Sequence, residues 1–168
     1  GEFNQESHQR YKDQATLLED CNSYFIYCLE NSTGADEVRA YLSSRGYSDE
    51  DVKAMELGYI PNQESLNKYL FSKGYTQELI NDIVTIKTDA RIGSTHNLSI
   101  PYRSGGSIKG FKFRTVVDAT PKYLNSSGLD RSGGFFNLLG IKGDKDIVIV
   151  EGELDSLHAT IKGVDNVV

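Results

Sequence analysis

The chain has no apolar run approaching the about eighteen residues that a membrane-spanning helix needs, and no secretory leader pattern at its start. Neither a membrane partner nor secretion is expected, and the location expected is cytoplasmic. Cysteine is nearly absent: Cys21 and Cys28 fall on one helical pattern, and seven residues of helix rise about 10 Å, too far for a disulfide. They read as two buried thiols in a reducing compartment. With His8, His96 and His158 scattered, no spacing suits zinc, so none is expected in this segment. Also missing are the G-x-x-x-x-G-K-[ST] loop of an ATPase and the G-x-S-x-G turn of a serine hydrolase. The only methionine is Met55 and the chain opens Gly-Glu-Phe, so residues 1–3 read as a cloning remnant.

A surplus of acid is present, with a net charge of −6, but it is not uniform. Residues 1–90 carry 8 Lys and Arg against 16 Asp and Glu, whereas residues 91–131 carry 7 against 2. The remainder, 132–168, carries 3 against 6. A basic stripe in the middle of an acidic chain is a place where a polyanion can dock despite the overall sign.

Residues 4–90 read as short helices joined by turns. Tyr11, Ala15, Leu18, Tyr24, Ile26 and Leu29 recur at helical spacing up to Asn31. A second helix, from Ala35, stops at Arg45-Gly46, and Ser48 is placed as the N-cap of a third, with acids in its first turn. The stretch GYIPN reads as a turn, and two further helices follow, the second starting on a capping Thr76. The likeness of RGY at 45–47 to KGY at 73–75 reads as two helix-stop signals, not a duplication.

From Ser94 the period changes to two. Leu98, Ile100 and Tyr102, the pair Gly105-Gly106, then Phe111 and Phe113 make a hairpin pattern, with Lys112 and Arg114 on the face opposite the phenylalanines. Residues 118–134 read as a loop. IVIV at 147–150 reads as a short strand buried on both faces, followed by Glu151, Gly152, a helical stretch to Gly163, and VDNVV opening another strand. Glu151 thus stands at the carboxyl end of a strand, where α/β sheets collect functional groups, with Gly152 at a hard turn and Asp155 in the first turn of the next helix. Carboxylates so placed suit a divalent cation or acid–base work, and equally suit a helix N-terminus in a solvated turn.

An apolar strand, E-G-x-x-D and a helix resemble the start of a TOPRIM domain, as found in primases and topoisomerases. Upstream, IPYRSGGSIKGFKFR followed by PKYLNS, and before it VRAYLSSRGYSDEDVKAMELGYIPN, resemble the catalytic core of bacterial and phage-type DNA primases from about Gly34 to the end. The resemblance implies an α+β fold: a helical amino-terminal part, an antiparallel hairpin core, and the first strand, helix and second strand of a TOPRIM domain. The implied division is a core subdomain over 4–145, with helices in 4–90 and strands in 94–125, and the TOPRIM start at 146–168. It implies template-directed synthesis of RNA primers on single-stranded DNA from ribonucleoside triphosphates, with Mg2+ or Mn2+, and a replicative helicase as a further partner.

Carried over by motif, Glu151 is the catalytic and metal-binding carboxylate and Asp155 a second metal ligand. Arg114, Lys122, Tyr123, Asn125 and Lys112 are the residues expected to hold template and triphosphate. The family's later aspartate pair is not found, so the segment alone is expected to be inactive. Lys112-Phe113 replaces the family's glycine pair, and no lysine follows a phenylalanine in GGFFNLLG. With Glu153 the turn is spelled E-G-E-x-D, as in phage helicase-primases and the mitochondrial replicative helicase. Two other readings use the same features: a single-strand-binding module with a degenerate TOPRIM edge, and a TOPRIM nuclease or topoisomerase.

Overall fold

In the computed structural model of the chain, residues 2–84, 89–126, 152–165 and 167 are described. The fold is α+β. Helix α1 (Glu2–Asn31) is followed by a 3-10 turn (Thr33–Ala35) and by α2 (Asp36–Ser44), α3 (Asp49–Ala54), strand β1 (Gly58–Tyr59), α4 (Gln63–Ser72) and α5 (Gln77–Val84). Then come β2 (His96–Ser104), β3 (Ser107–Thr115), β4 (Tyr123–Asn125) and α6 (Glu153–Ile161). No helix among the described residues is long and apolar enough to cross a membrane.

Local chemistry sets the helix ends. Ser48 and Asp51 form a reciprocal capping box at the start of α3, each side chain bonding the other's backbone N–H. Thr76 caps α5 through Leu79 N–H. Helices α2 and α4 end alike, with Tyr47 N–H bonding Leu42 C=O and Tyr75 N–H bonding Leu70 C=O across Gly46 and Gly74 in the left-handed region. Helix α3 closes in the same way on Leu57 and Val52, but Glu56 holds the left-handed position at φ 54°. There Arg103 grips the Glu56 carboxylate with two N–H donors at 2.6 and 2.7 Å while also pairing with Glu19.

The four strands form one antiparallel sheet in the order β1-β2-β3-β4. The Gly105-Gly106 turn is observed, with both residues at positive φ. Two segments read as turn and loop turn out to be strands. Gly58 and Tyr59 pair with Ser99 and Leu98 at one edge, and Tyr123–Asn125 pair with Arg114, Phe113 and Lys112 at the other. At two and three residues, neither is long enough to show alternation.

The sheet is covered on both faces. Phe111 and Phe113 face α1, where Phe25 meets both rings edge-on at 5.1 and 6.0 Å, in a core shared with Leu66, Leu70 and Ile80. Leu98 and Ile100 lie opposite Arg114 and Lys112, so these four share the other face. That face packs in a second core with Val38 and Leu42 of α2, Leu57, and Leu154 of α6. Cys21 and Cys28 are buried free thiols, and burial pushes the pKa of both up, so they stay protonated.

Candidate functional site

Because the sheet alternates, Lys112 and Arg114 emerge on the face that receives α2 and α6, with Asn125 and Tyr123 directly across from them on β4. The result is a ladder of rings and cations. Arg114's guanidinium carbon stands 4.8 Å from the Tyr41 ring centre and 5.5 Å from that of Tyr123. Lys112 Nζ stands 4.8 Å from the Tyr123 ring and 5.9 Å from that of Tyr102. Each ring offers its negative face to a cation, an attraction that grows as water is excluded.

The ladder is not the open ridge that a hairpin face suggests. Lys112 is only 3% exposed, Arg114, Tyr123 and Asn125 are half-buried, and Lys122 is exposed. Arg114 donates from Nη1 to the Thr115 carbonyl at 2.6 Å. Its Nε, the Tyr41 hydroxyl and the Asn125 side-chain oxygen are buried without a hydrogen-bond partner among the described residues. Buried polar atoms left unpaired are uncommon in folded chains, so several on one face mark a place built for polar company.

The loop that carries Lys122 is tied down from a distance. His96, fully buried at the start of β2, donates from Nε2 to the Pro121 carbonyl at 2.6 Å and accepts at Nδ1 from the Thr95 hydroxyl. Arg91 reaches the Thr120 carbonyl at 2.8 Å while paired with Asp89, whose carboxyl it holds down to about 2.

Helix α6 brings the carboxylate turn to the ladder. A Cβ built on Gly152 would lie 3.7 Å from the Tyr123 hydroxyl and 3.5 Å from Asp155 Oδ2, both ordinary contacts. The chain bends at Gly152, as expected, but Gly152 itself is extended (φ 163°, ψ 148°), so the bend into α6 needs no left-handed conformation. Asp155 is half-exposed, with Arg45 of the α2 cap at 3.8 Å. Glu151 lies outside the described residues, as does the IVIV stretch read as a strand. Among the described residues no group of three or more potential ligands is assembled for a metal ion.

Tyr41, Arg45, Arg91 and His96 are not singled out as site residues by sequence reading. Tyr41 and Arg45 do lie in the YLSSRG stretch that carries the resemblance, and that was the available signal.

Helix α6 is held to the helical layer through Asp51. This buried carboxylate accepts from Ser48 N–H and lies 3.1 Å from Lys162 Nζ and 3.8 Å from His158 Nε2, whose ring packs on Tyr47. The Ser48 N–H first, and Lys162 second, hold the Asp51 carboxyl below the ordinary carboxylate range. A depressed folded value means that this stabilisation is fully present above about pH 4 and is lost as pH falls through the folded value. Melting temperatures of wild type and Asp51→Asn should therefore differ at pH 6 and converge on acidification below about 4; a constant gap would show that Asp51 is not ionised in this contact.

The fold so assembled is that of bacterial primase catalytic domains. It superposes on the RNA polymerase domain of Mycobacterium tuberculosis primase, crystallised with a double-stranded DNA oligomer with a six-nucleotide overhang (TM-score 0.76, 23% identity, 92% of this chain and 52% of that one). It also superposes on a primase catalytic domain bound to single-stranded DNA (TM-score 0.73, 22% identity, 95% and 54%). The chain belongs to the family of the DNA primase catalytic core, N-terminal domain, whose family model matches residues 24–130. Among curated relatives, a DNA primase of Staphylococcus epidermidis is 28% identical over 159 residues, covering 86% of this chain and 27% of the relative. One of Deinococcus radiodurans is 30% identical over 139 residues, covering 70% and 24%. The chain thus spans about a quarter of the length of these relatives and about half of the solved domains.

Proposed function

We propose that this chain is the first part of the catalytic core of a DNA primase, with a core subdomain over 4–145 and the opening of a TOPRIM domain over 146–168. The parent enzyme joins ribonucleotides into RNA primers on a single-stranded DNA template. The observation that carries this reading is the juxtaposition of the Tyr41–Arg114–Tyr123–Lys112 ladder with the Gly152 turn, where Tyr123's hydroxyl adjoins the backbone next to Glu151. Cationic side chains that hold phosphates beside carboxylates that hold cations are the two halves of a nucleotidyl-transfer site.

In this reading Arg114 and the exposed Lys122 hold phosphates of template or triphosphate, with Arg45 at the rim. Asn125 supplies an amide, and Tyr123 orders the two cations on its ring instead of stacking a base. Lys112, too buried to meet a long polyanion, sets the charge beneath Tyr123. Magnesium is commonly held by one or two carboxylates completed by waters and phosphates, and the half-exposed Asp155 fits that donor chemistry, with Glu151 as the principal ligand. When bound, the ion neutralises charge developing on the phosphates of the incoming triphosphate. The E-G-E-x-D spelling favours a parent of the phage or mobile-element kind, with a helicase as partner.

The test is primer synthesis by the full-length parent on single-stranded template with magnesium and ribonucleotides; template binding without synthesis would turn the assignment towards a binding module. The cations are tested on the 168-residue chain through salt. Three phosphate contacts from Arg45, Arg114 and Lys122 should make log K for an oligothymidylate fall with log salt at a slope of about −2. A flat response would remove these side chains from any phosphate track.

A further inference from the structure

One rung of the ladder comes from a residue given no role above. Tyr41 belongs to α2, in the helical layer, yet its ring lies 4.8 Å from the guanidinium of Arg114 on β3. We infer that Tyr41 is a positioning residue that clamps the Arg114 guanidinium against Tyr123 and so aims it at the phosphate it binds.

Among the described residues Arg114 has one fixed point besides its rings, the 2.6 Å bond from Nη1 to the adjacent Thr115 carbonyl. A single bond leaves a planar guanidinium free to swing about it; contact with rings from two different elements confines the plane. Arg114 Nε and the Tyr41 hydroxyl are both buried without partners among the described residues. Neither polar atom explains the contact, so the ring face does. Holding a bidentate donor in one orientation before the anion arrives lowers the ordering cost of binding. Val38 and Leu42 of the same helix are buried in the core shared with Leu98 and Ile100, so α2 is a rigid mount for the ring. The inference rests on the phosphate-binding reading of Arg114, and its test separates the two.

Affinity of the 168-residue chain for a fluorescein-labelled oligothymidylate is measured over a salt series for wild type, Tyr41→Leu, Tyr41→Phe and Arg114→Ala. Tyr41→Leu is expected to bind roughly five- to tenfold more weakly, with the salt slope flatter by about 0.7, the share of one phosphate contact. Tyr41→Phe, which keeps the ring, should restore both. A general loss of structure would weaken binding without removing one contact's worth of slope. If Arg114→Ala weakens binding while Tyr41→Leu binds as wild type does, the clamp is overturned and the reading of Arg114 stands. If wild type does not bind, the phosphate reading fails, and the clamp is decided by the Arg114 Nε–H resonance. Protected and ring-shifted in wild type and Tyr41→Phe but exposed in Tyr41→Leu, it upholds the clamp. Unchanged in Tyr41→Leu, it overturns it.

Discussion

Gly58→Ala is expected to lower the melting temperature of the chain by roughly 6–12 °C, from an overpacking cost of about 3 kcal/mol spread over a chain of this size. Strand β1 crosses α1 so closely that a Cβ on Gly58 would fall 2.5 Å from Phe25 Cβ, 2.6 Å from Ser99 Oγ and 2.7 Å from the Phe25 carbonyl carbon. Ser99 can rotate away. The backbone of α1 cannot, because Phe25 is locked edge-on against Phe111 and Phe113 and lies wholly inside the core. The added methyl must push β1 off α1, β2 off β1, or both. Truncating Phe25 offers no escape, since alanine keeps both the Cβ and the carbonyl carbon, so Phe25→Ala combined with Gly58→Ala should be no more stable than either alone. Gly46→Ala and Gly74→Ala are the controls: nothing lies within 4 Å of their Cβ positions, and only the left-handed backbone is strained, costing about 1 kcal/mol. Thermal unfolding followed by circular dichroism separates the cases. A Gly58→Ala chain melting within 2 °C of wild type would mean that β1 does not lie against α1.

The same close crossing explains what reads from sequence and what does not. The long helix, the cap at Ser48, the twin stops at Gly46 and Gly74 and the Gly-Gly hairpin all follow from residues within a few positions of one another. Strands β1 and β4 do not. Each is defined by pairing with a partner many residues away, and neither is long enough for periodicity to announce it. The separation of Phe111 and Phe113 from Lys112 and Arg114 reads directly from alternation. That the cationic face would be covered does not, because the covering rings and helices come from distant segments. The resemblance marks Lys122, Tyr123 and Asn125 but is silent on how their loop is held. His96, which reads as a stray histidine, supplies the buried bond to Pro121. Motif spelling finds groups that meet ligand; the groups that hold them are found through contacts.

Glu151→Gln in the full-length parent should reduce primer synthesis by at least about a hundredfold while leaving template affinity within about twofold. Residues that merely orient a metal ligand cost ten- to a hundredfold when lost, so a ligand itself should stand at or beyond the upper end. Glutamine preserves size and one oxygen donor but removes the charge that draws a divalent cation. Asp155→Asn should cost less, about tenfold, because Asp155 is half-exposed and has Arg45 only 3.8 Å away to compete for its charge. Arg45→Ala then makes the sign decisive. If Asp155 serves the metal, removing Arg45 frees its carboxylate and lowers the magnesium concentration needed for half-maximal rate. If Asp155 only pairs with Arg45, that concentration stays put and Asp155→Asn is silent. Template binding separates these losses from damage to the ladder, because Arg114→Ala should weaken binding whereas Glu151→Gln should not. Should Glu151→Gln synthesise primers as well as wild type, Glu151 would not carry the metal, and the catalytic carboxylates would have to be sought elsewhere in the parent.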